Sequence, residues 1–145
     1  MKKRHLLIIS CSKAKDKSPS LLSAWERYQG RVFYTLKGIN KQHVFDDTID
    51  IVIISGKYGF LRPYDLIEYY DQKMTPKLAV NHHCKVVDGL SKMLESQIYH
   101  DSFILLEPDY LLTFEGINVP NVHIELEINS ESLESLKQWV LQKHL

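Results

Sequence analysis

Apolar positions fall along the chain in short runs of two kinds, and the kinds alternate. Residues 5–10 are a compact apolar run ending in a small polar residue, with the length of a buried strand. Ile49–Ser55 is richer in β-branched residues and predicts a strand covered on both faces. Between them, Ser18 and Pro19 read as the cap and first position of a helix ending at Gly30, followed by a second helical stretch over about 32–39. After the second strand, Gly56-Lys-Tyr-Gly59 predicts a tight turn, and residues 60–72, holding Pro63 and four aromatics, predict irregular chain. Thr75 and Pro76 open a long helix to about Gln97, with Leu78, Val86, Leu90, Met93 and Leu94 near one face. Residues 102–106 and 122–126 read as further short strands. Asn129 or Ser130 caps a last helix, with Glu131 and Glu134 at its start and Lys143 and His144 at its end, as the helix dipole favours.

Strands alternating with helices predict a single three-layer α/β domain over residues 1–145, with a mostly parallel, Rossmann-like central sheet. Ligands of such sheets bind beyond the carboxyl ends of the strands. The loops 11–18 and 56–59 both leave directly from strands, so they are expected to open on the same edge. Neither an internal repeat nor a linker divides the chain.

Composition narrows the picture. The chain has 145 residues, 44% of them apolar and 25% charged, as expected of a globular domain. Its 18 basic and 18 acidic residues cancel, but not evenly along the chain. Residues 1–37 carry nine basic groups against two acids, whereas residues 101–145 carry two against eight. This excludes a uniformly basic nucleic-acid coat and leaves room for a local basic site. No apolar run approaches the roughly 20 residues of a membrane span. The start resembles a lipoprotein signal in having small residues before Cys11, yet its apolar stretch, residues 6–9, is shorter than a signal core of roughly 7–15 residues. Two cysteines, Cys11 and Cys84, make no disulfide framework, so a cytoplasmic home is expected.

Three constellations carry candidate chemistry. In Ser10-Cys11-Ser12-Lys13 with Lys15, a loop leaving a buried strand offers backbone N–H groups, two hydroxyls and two ammonium groups to a phosphate or carboxylate. It lacks the glycines of a Walker loop, and Lys17 stands where a tyrosine-phosphatase loop needs arginine. A solvated basic loop is the plain alternative. Cys11 is either a nucleophile favoured by nearby lysines or an inert buried thiol. In Gly56-Lys57-Tyr58-Gly59, Tyr58 offers a ring to stack on a base and Lys57 a cation or acid, against the alternative of a tight turn with a surface lysine. In the segment 68–74, Tyr70 and Asp71 offer a ring and a carboxylate to a sugar or base, against the alternative of an aromatic cluster over the core, which Tyr69 fits best. His82-His83-Cys84 lacks the i, i+4 spacing of helical metal ligands, so no metal is expected there, and no motif implies a cofactor. Glu125, Glu127 and His123 read as a solvated or edge-strand face.

Taken in order, Ile9–Lys15 with its Ser-Cys-Ser-Lys, then Tyr28-x-Gly30-x-x-Phe33, then Ser55-Gly56-Lys57-Tyr58-Gly59-Phe60-Leu61, then Tyr70-Asp71, resemble a family of small bacterial, archaeal and phage domains similar to the peroxide-stress protein YaaA. The resemblance spans about residues 6–74. Gly56 stands for that family's usual alanine and Phe60 for its usual leucine, both expected to suit the turn. The Cys-Ser-Lys loop is also similar to a piece of the core domain of archaeosine synthase and its transfer-RNA-modifying relatives. The resemblance implies an α/β domain in a setting of nucleic-acid damage, modification or phage conflict, without a settled reaction.

Together these features lead to the expectation of a protein that processes a nucleotide, a nucleobase or a nucleic-acid end, with a glycosidic bond as the most natural target. Ser10, Cys11, Ser12, Lys13 and Lys15 would hold an anion, Gly56 and Gly59 would bring backbone to the ligand, and Lys57 and Tyr58 would contact the base or leaving group. Tyr70 would orient sugar or base, with Asp71 the carboxylate for an oxocarbenium-like centre. The alternatives are a non-catalytic DNA- or RNA-binding protein of a stress or phage-conflict response, and a module pairing the basic region of one copy with the acidic region of another.

Overall fold

The computed structural model describes residues 3–39 and 48–143. In chain order the elements are strands β1 (Arg4–Ser10) and β2 (Leu22–Ser23), helices α1 (Ala24–Arg27) and α2 (Arg31–Ile39), and strands β3 (Ile49–Ser55), β4 (Gly59–Leu61) and β5 (Leu66–Ile67). There follow helix α3 (Pro76–Ser96), strand β6 (Tyr99–Leu105), and helix α4 (Pro108–Leu111) running into a 3-10 turn, Leu112–Phe114. Strand β7 (Val122–Glu125) and helix α5 (Ser130–Lys143) complete the chain. His144, expected at the end of the last helix, lies outside the described residues.

Five strands form one sheet in the order β4-β3-β1-β6-β7. β1 pairs in parallel with β3, His5 opposite Ile49, and with β6, His5 opposite Asp101; β6 pairs in parallel with β7. Only β4 is antiparallel, folded back on β3. The middle of the central strand is apolar because neither of its faces meets water: Leu6, Leu7, Ile8 and Ile9 are wholly buried. The chain leaves β1 toward β3 on one side and later returns across β1 to β6 on the other. Right-handed crossovers in opposite directions put α2 and α3 on opposite faces. α5 packs with α2, and α4 with its 3-10 turn packs with α3, giving three layers. The fold is therefore a Rossmann-like α/β domain with a mostly parallel sheet. No helix among the described residues is long and apolar enough to cross a membrane.

The long helix begins and ends where its residues require. The Thr75 hydroxyl accepts the Leu78 N–H at 3.1 Å, Pro76 follows, and Ala79, Val86 and Leu90 form its buried stripe. Of the two expected caps for the last helix, Asn129 is the one used: its side-chain oxygen accepts the Ser132 N–H at 2.8 Å.

The expected helix from Pro19 to Gly30 does not form. Residues 22–23 instead pair antiparallel with 66–67 in a two-stranded ribbon, and only Ala24–Arg27 is helical, capped by Ser23. The cause is Arg27, which has no exposed surface. Its guanidinium donates to the carbonyls of Asp16, Ser18, Ser20 and Ile67. The Ser18 and Ser20 carbonyls, which a helix would engage internally, are drawn together with that of Asp16 to one charged fork. Residues 60–72, expected to be irregular, contain β4 and β5, so this segment supplies the partners for both β3 and β2.

Two polar clusters close the amino edge of the sheet. Asp50 takes hydrogen bonds from Arg4 and from the Tyr99 hydroxyl, with Arg62 nearby. Asp101 is held by His5 on one oxygen and by Lys143 on the other.

Candidate functional site

At the opposite, carboxyl edge, the connections from β1 and β6 leave in different directions and on different faces. Such a switch point opens a crevice between the two strand ends. A cavity of about 630 Å³ lies there, within the size range of small-molecule sites. Its wall is formed by residues 10–15 after β1, the first turn of α2 (Gly30, Arg31, Val32, Phe33), Asp71, Gln72 and Lys73, Glu107 and Tyr110 after β6, and Ile128.

Each segment is held in place by specific contacts. The Cys11 N–H donates to the Ile54 carbonyl at 2.9 Å, extending the sheet by one residue past β1. The Cys11 sulfur is 3.6 Å from the Tyr110 hydroxyl, and the thiol is 9% exposed. The Ser12 hydroxyl donates to the Ala14 carbonyl at 2.6 Å and accepts the Gln29 N–H at 3.2 Å, so it turns the loop and ties it to the residue before Gly30. A Cβ on Gly30 would fall 2.6 Å from that of Ser12, so the loop rests on bare backbone at the entry to α2. The first turn of α2 lines the cavity alongside Lys13, and a helix start leaves its first N–H groups without partners inside the helix. That is the usual makings of an anion site.

Lys15 is 9% exposed, bridges by backbone to Tyr28, and lies 4.6 Å from the centre of the Tyr70 ring. Burial lowers its pKa from the ordinary 10.5, against the opposing pull of Cys11 and Asp71. Four basic side chains, Lys13, Lys15, Arg31 and Lys73, thus share the wall with the carboxylates Asp71 and Glu107.

The second sequence segment stands behind this wall instead of in it. Gly56, Lys57, Tyr58 and Gly59 do not line the cavity. Ser55 is wholly buried, and its hydroxyl accepts the N–H groups of Lys57 and Tyr58, at 3.2 and 3.0 Å, which shapes the turn. The Tyr58 hydroxyl accepts the Glu68 N–H at 3.2 Å and its ring meets Tyr70 edge-on, two contacts that tie this half-buried side chain to the scaffold. Gly59 takes a φ of +77°, as its turn requires. Gly56 is needed for a different reason: a Cβ there would fall 2.5 Å from the Gln72 carbonyl oxygen and 2.9 Å from the Met74 nitrogen. Glycine and alanine are therefore not interchangeable at position 56, contrary to the expectation that either suits the turn. The backbone that Gly56 approaches belongs to the segment carrying Asp71 and Lys73 into the cavity.

Tyr70 is 5% exposed and is likewise not in the wall. Its hydroxyl bonds to those of Tyr28 and Ser55, the latter at 2.8 Å, in a buried chain linking α1, the β3 turn and the 68–74 segment. Burial drives the Tyr70 and Tyr28 phenols far above their ordinary value, so both stay protonated. The expected role of Tyr70 in orienting sugar or base gives way to one of fixing the scaffold. Asp71, next along the chain, is exposed and does line the cavity. The two histidines turn apart, as adjacent helical residues must: His82 bonds to the Gly56 carbonyl and His83 to that of Thr113. Among the described residues no group of three potential ligands is placed to hold a metal ion.

Arg31, Lys73, Glu107 and Tyr110 are wall residues that the sequence reading missed. Glu107 and Tyr110 were within reach of one signal, the strand end just before Glu107-Pro108, once β6 is known to lie beside β1. Burial also pushes the Tyr110 phenol well above its ordinary value, with Cys11 adding to the effect.

No family model matches this chain, and none of the curated proteins searched does so.

Proposed function

We propose that the protein binds and processes a nucleotide, a nucleobase or a nucleic-acid end at this cavity, acting on a glycosidic bond. The observation that carries the reading is the crevice at the switch point, where the first turn of a helix and four basic side chains line one cavity together with two carboxylates. The first turn of α2, with Ser12, Lys13 and Arg31, would take a phosphate. Asp71 and Glu107 would lie along the sugar, where a carboxylate stabilises positive charge developing at the anomeric carbon. The resemblance to YaaA-like domains supports the same setting through the loop Ser10–Lys13. Lys57, Tyr58, Gly56, Gly59 and Tyr70 act in this reading by shaping and bracing the site.

Calorimetric titration with nucleoside monophosphates, free nucleobases and a single-stranded oligonucleotide tests the proposal. At least one is expected to bind, and Lys13→Ala is expected to weaken a phosphorylated ligand about tenfold, as for loss of one charge-assisted contact. Inert behaviour toward all three would sink it. A second reading, nucleic-acid binding without chemistry, draws on the exposure of Lys13, Arg31 and Lys73 around one opening. It predicts affinity for oligonucleotides that falls steeply with salt, with no base released.

A further inference from the structure

Lys15 is a largely buried lysine in the cavity wall, without a carboxylate partner among the described residues. Lysine is rarely buried unless paired, yet among the described residues Lys15 makes no ion pair. Its one hydrogen bond is long, 3.4 Å to the Lys13 carbonyl. The backbone on either side is clamped, with the Asp16 N–H on the Arg27 carbonyl and the Gln29 N–H on that of Ala14, which fixes the position of the Lys15 Cα in the wall. The ionisable groups that act on the amine are Cys11 and Asp71, both in the same wall; the Tyr70 ring lies against it, and Lys57 approaches that ring at 5.9 Å. Burial outweighs the two acids and lowers the pKa of the amine from its ordinary 10.5, which enlarges the share of the neutral form, the one that has a lone pair to give.

We propose that the Lys15 ε-amine is the nucleophile of this cavity and holds the C1 carbonyl of a base-free pentose phosphate, the sugar left when a glycosidic bond is cut, as an imine. The proposal rests on the nucleotide reading and names its reacting group. The nitrogen lone pair forms a bond to C1 and the nitrogen gives up one proton while the carbonyl oxygen takes one, which makes a carbinolamine. That oxygen then leaves as water while the nitrogen sheds a proton, so amine and aldehyde yield imine and water with no change of oxidation state. Asp71 and Glu107 stand in the wall to relay these protons, and the phosphate sits at the first turn of α2 with Lys13 and Arg31.

The test incubates the full chain with 2-deoxyribose 5-phosphate and reduces it with sodium borohydride, which converts an imine to a stable secondary amine. Intact mass and peptide mapping are expected to show one adduct, on Lys15. Lys15→Arg, which keeps the cation, is expected to lose it, whereas Lys92→Arg, an exposed position paired with Asp88, keeps it. Excess inorganic phosphate is expected to slow trapping at least tenfold. No adduct, or adducts spread over exposed lysines and undiminished in Lys15→Arg, overturns the proposal, and indifference to phosphate overturns its phosphorylated substrate. Competitive acetylation across pH gives an independent check on the wild-type fold: Lys15 is expected to become reactive at lower pH than Lys92, and identical titration refutes a poised amine. Calorimetry with deoxyadenosine 5′-monophosphate separates the two claims. Binding without trapping removes the nucleophile and leaves the nucleotide reading, while trapping without nucleotide binding keeps the nucleophile and removes that reading.

Discussion

Replacing Arg27 by methionine tests what holds the loop behind the cavity. The guanidinium is wholly buried and donates to four backbone carbonyls, at 2.8 Å to Asp16 and Ser18, 2.5 Å to Ser20 and 3.1 Å to Ile67. Each hydrogen bond to a charged group contributes about 1.5–3 kcal/mol. Against this stands the desolvation of the guanidinium, several kcal/mol, which methionine does not incur. Three of the four contacts are only part-buried, so water can replace the lost donors there, while the Ile67 carbonyl is left buried and unpaired at a cost of about 1–3 kcal/mol. The net expectation is a loss of about 2–4 kcal/mol, a large share of the roughly 5–15 kcal/mol that stabilises a domain. Urea unfolding measures it, with the midpoint falling and the slope unchanged. Amide exchange is expected to accelerate first at residues 15–20. Because the Asp16 N–H donates to the Arg27 carbonyl and Lys15 bridges to Tyr28, the loosening is expected to reach the cavity. A loss below about 1 kcal/mol would refute the view that a charged fork, and not helix propensity, organises residues 16–27.

Two further outcomes follow from the structure. Gly56→Ala puts a methyl group into the backbone of residues 72–74; a loss of about 1–3 kcal/mol is expected, with a shift of Asp71 and Lys73 that would weaken the nucleotide binding proposed above, and an unchanged urea midpoint would contradict the packing. Asp101 supplies a pH dependence: burial opposes its charge, but hydrogen bonds from Lys143 and His5 prevail and hold its pKa below the ordinary 3.8. The unfolded chain therefore takes up this proton first as pH falls, so the stabilisation is complete above that range and disappears as pH drops through the lowered value. Asp101→Asn is expected to flatten the acid limb of stability against pH, and a limb identical to wild type would show that the pair contributes nothing.

The alternation of runs was enough to specify the class of fold and most of its elements. Ile49–Ser55 is a strand at the expected residues, and Thr75 and Pro76 open the long helix, because burial on two faces and helix capping both act over a few neighbouring positions. The helix expected at Pro19 fails for the opposite reason. Its fate is decided by Arg27 and by a ribbon with residues 66–67, some forty positions away, and no local pattern encodes that pairing. The site divides in the same way. The loop after β1 was legible because polar and basic residues follow a buried strand, whereas the choice between a presented and a buried Tyr70 depends on Tyr28 and Ser55 meeting its hydroxyl.

Charge makes the distinction sharpest. The sequence alone determined that positive charge concentrates in the first 37 residues and that this part of the chain carries the unusual loop. Only the tertiary structure decided what the described cations do: Arg4 is tied to Asp50, Arg27 is buried against carbonyls, Lys37 reaches the Tyr28 carbonyl, and Lys13, Lys15 and Arg31 line the cavity. The physical reason is that charge is a property of a residue, whereas desolvation and the nearness of a partner belong to the packed fold. Lys15 has the same side chain as Lys13 two positions earlier, and its burial sets it apart.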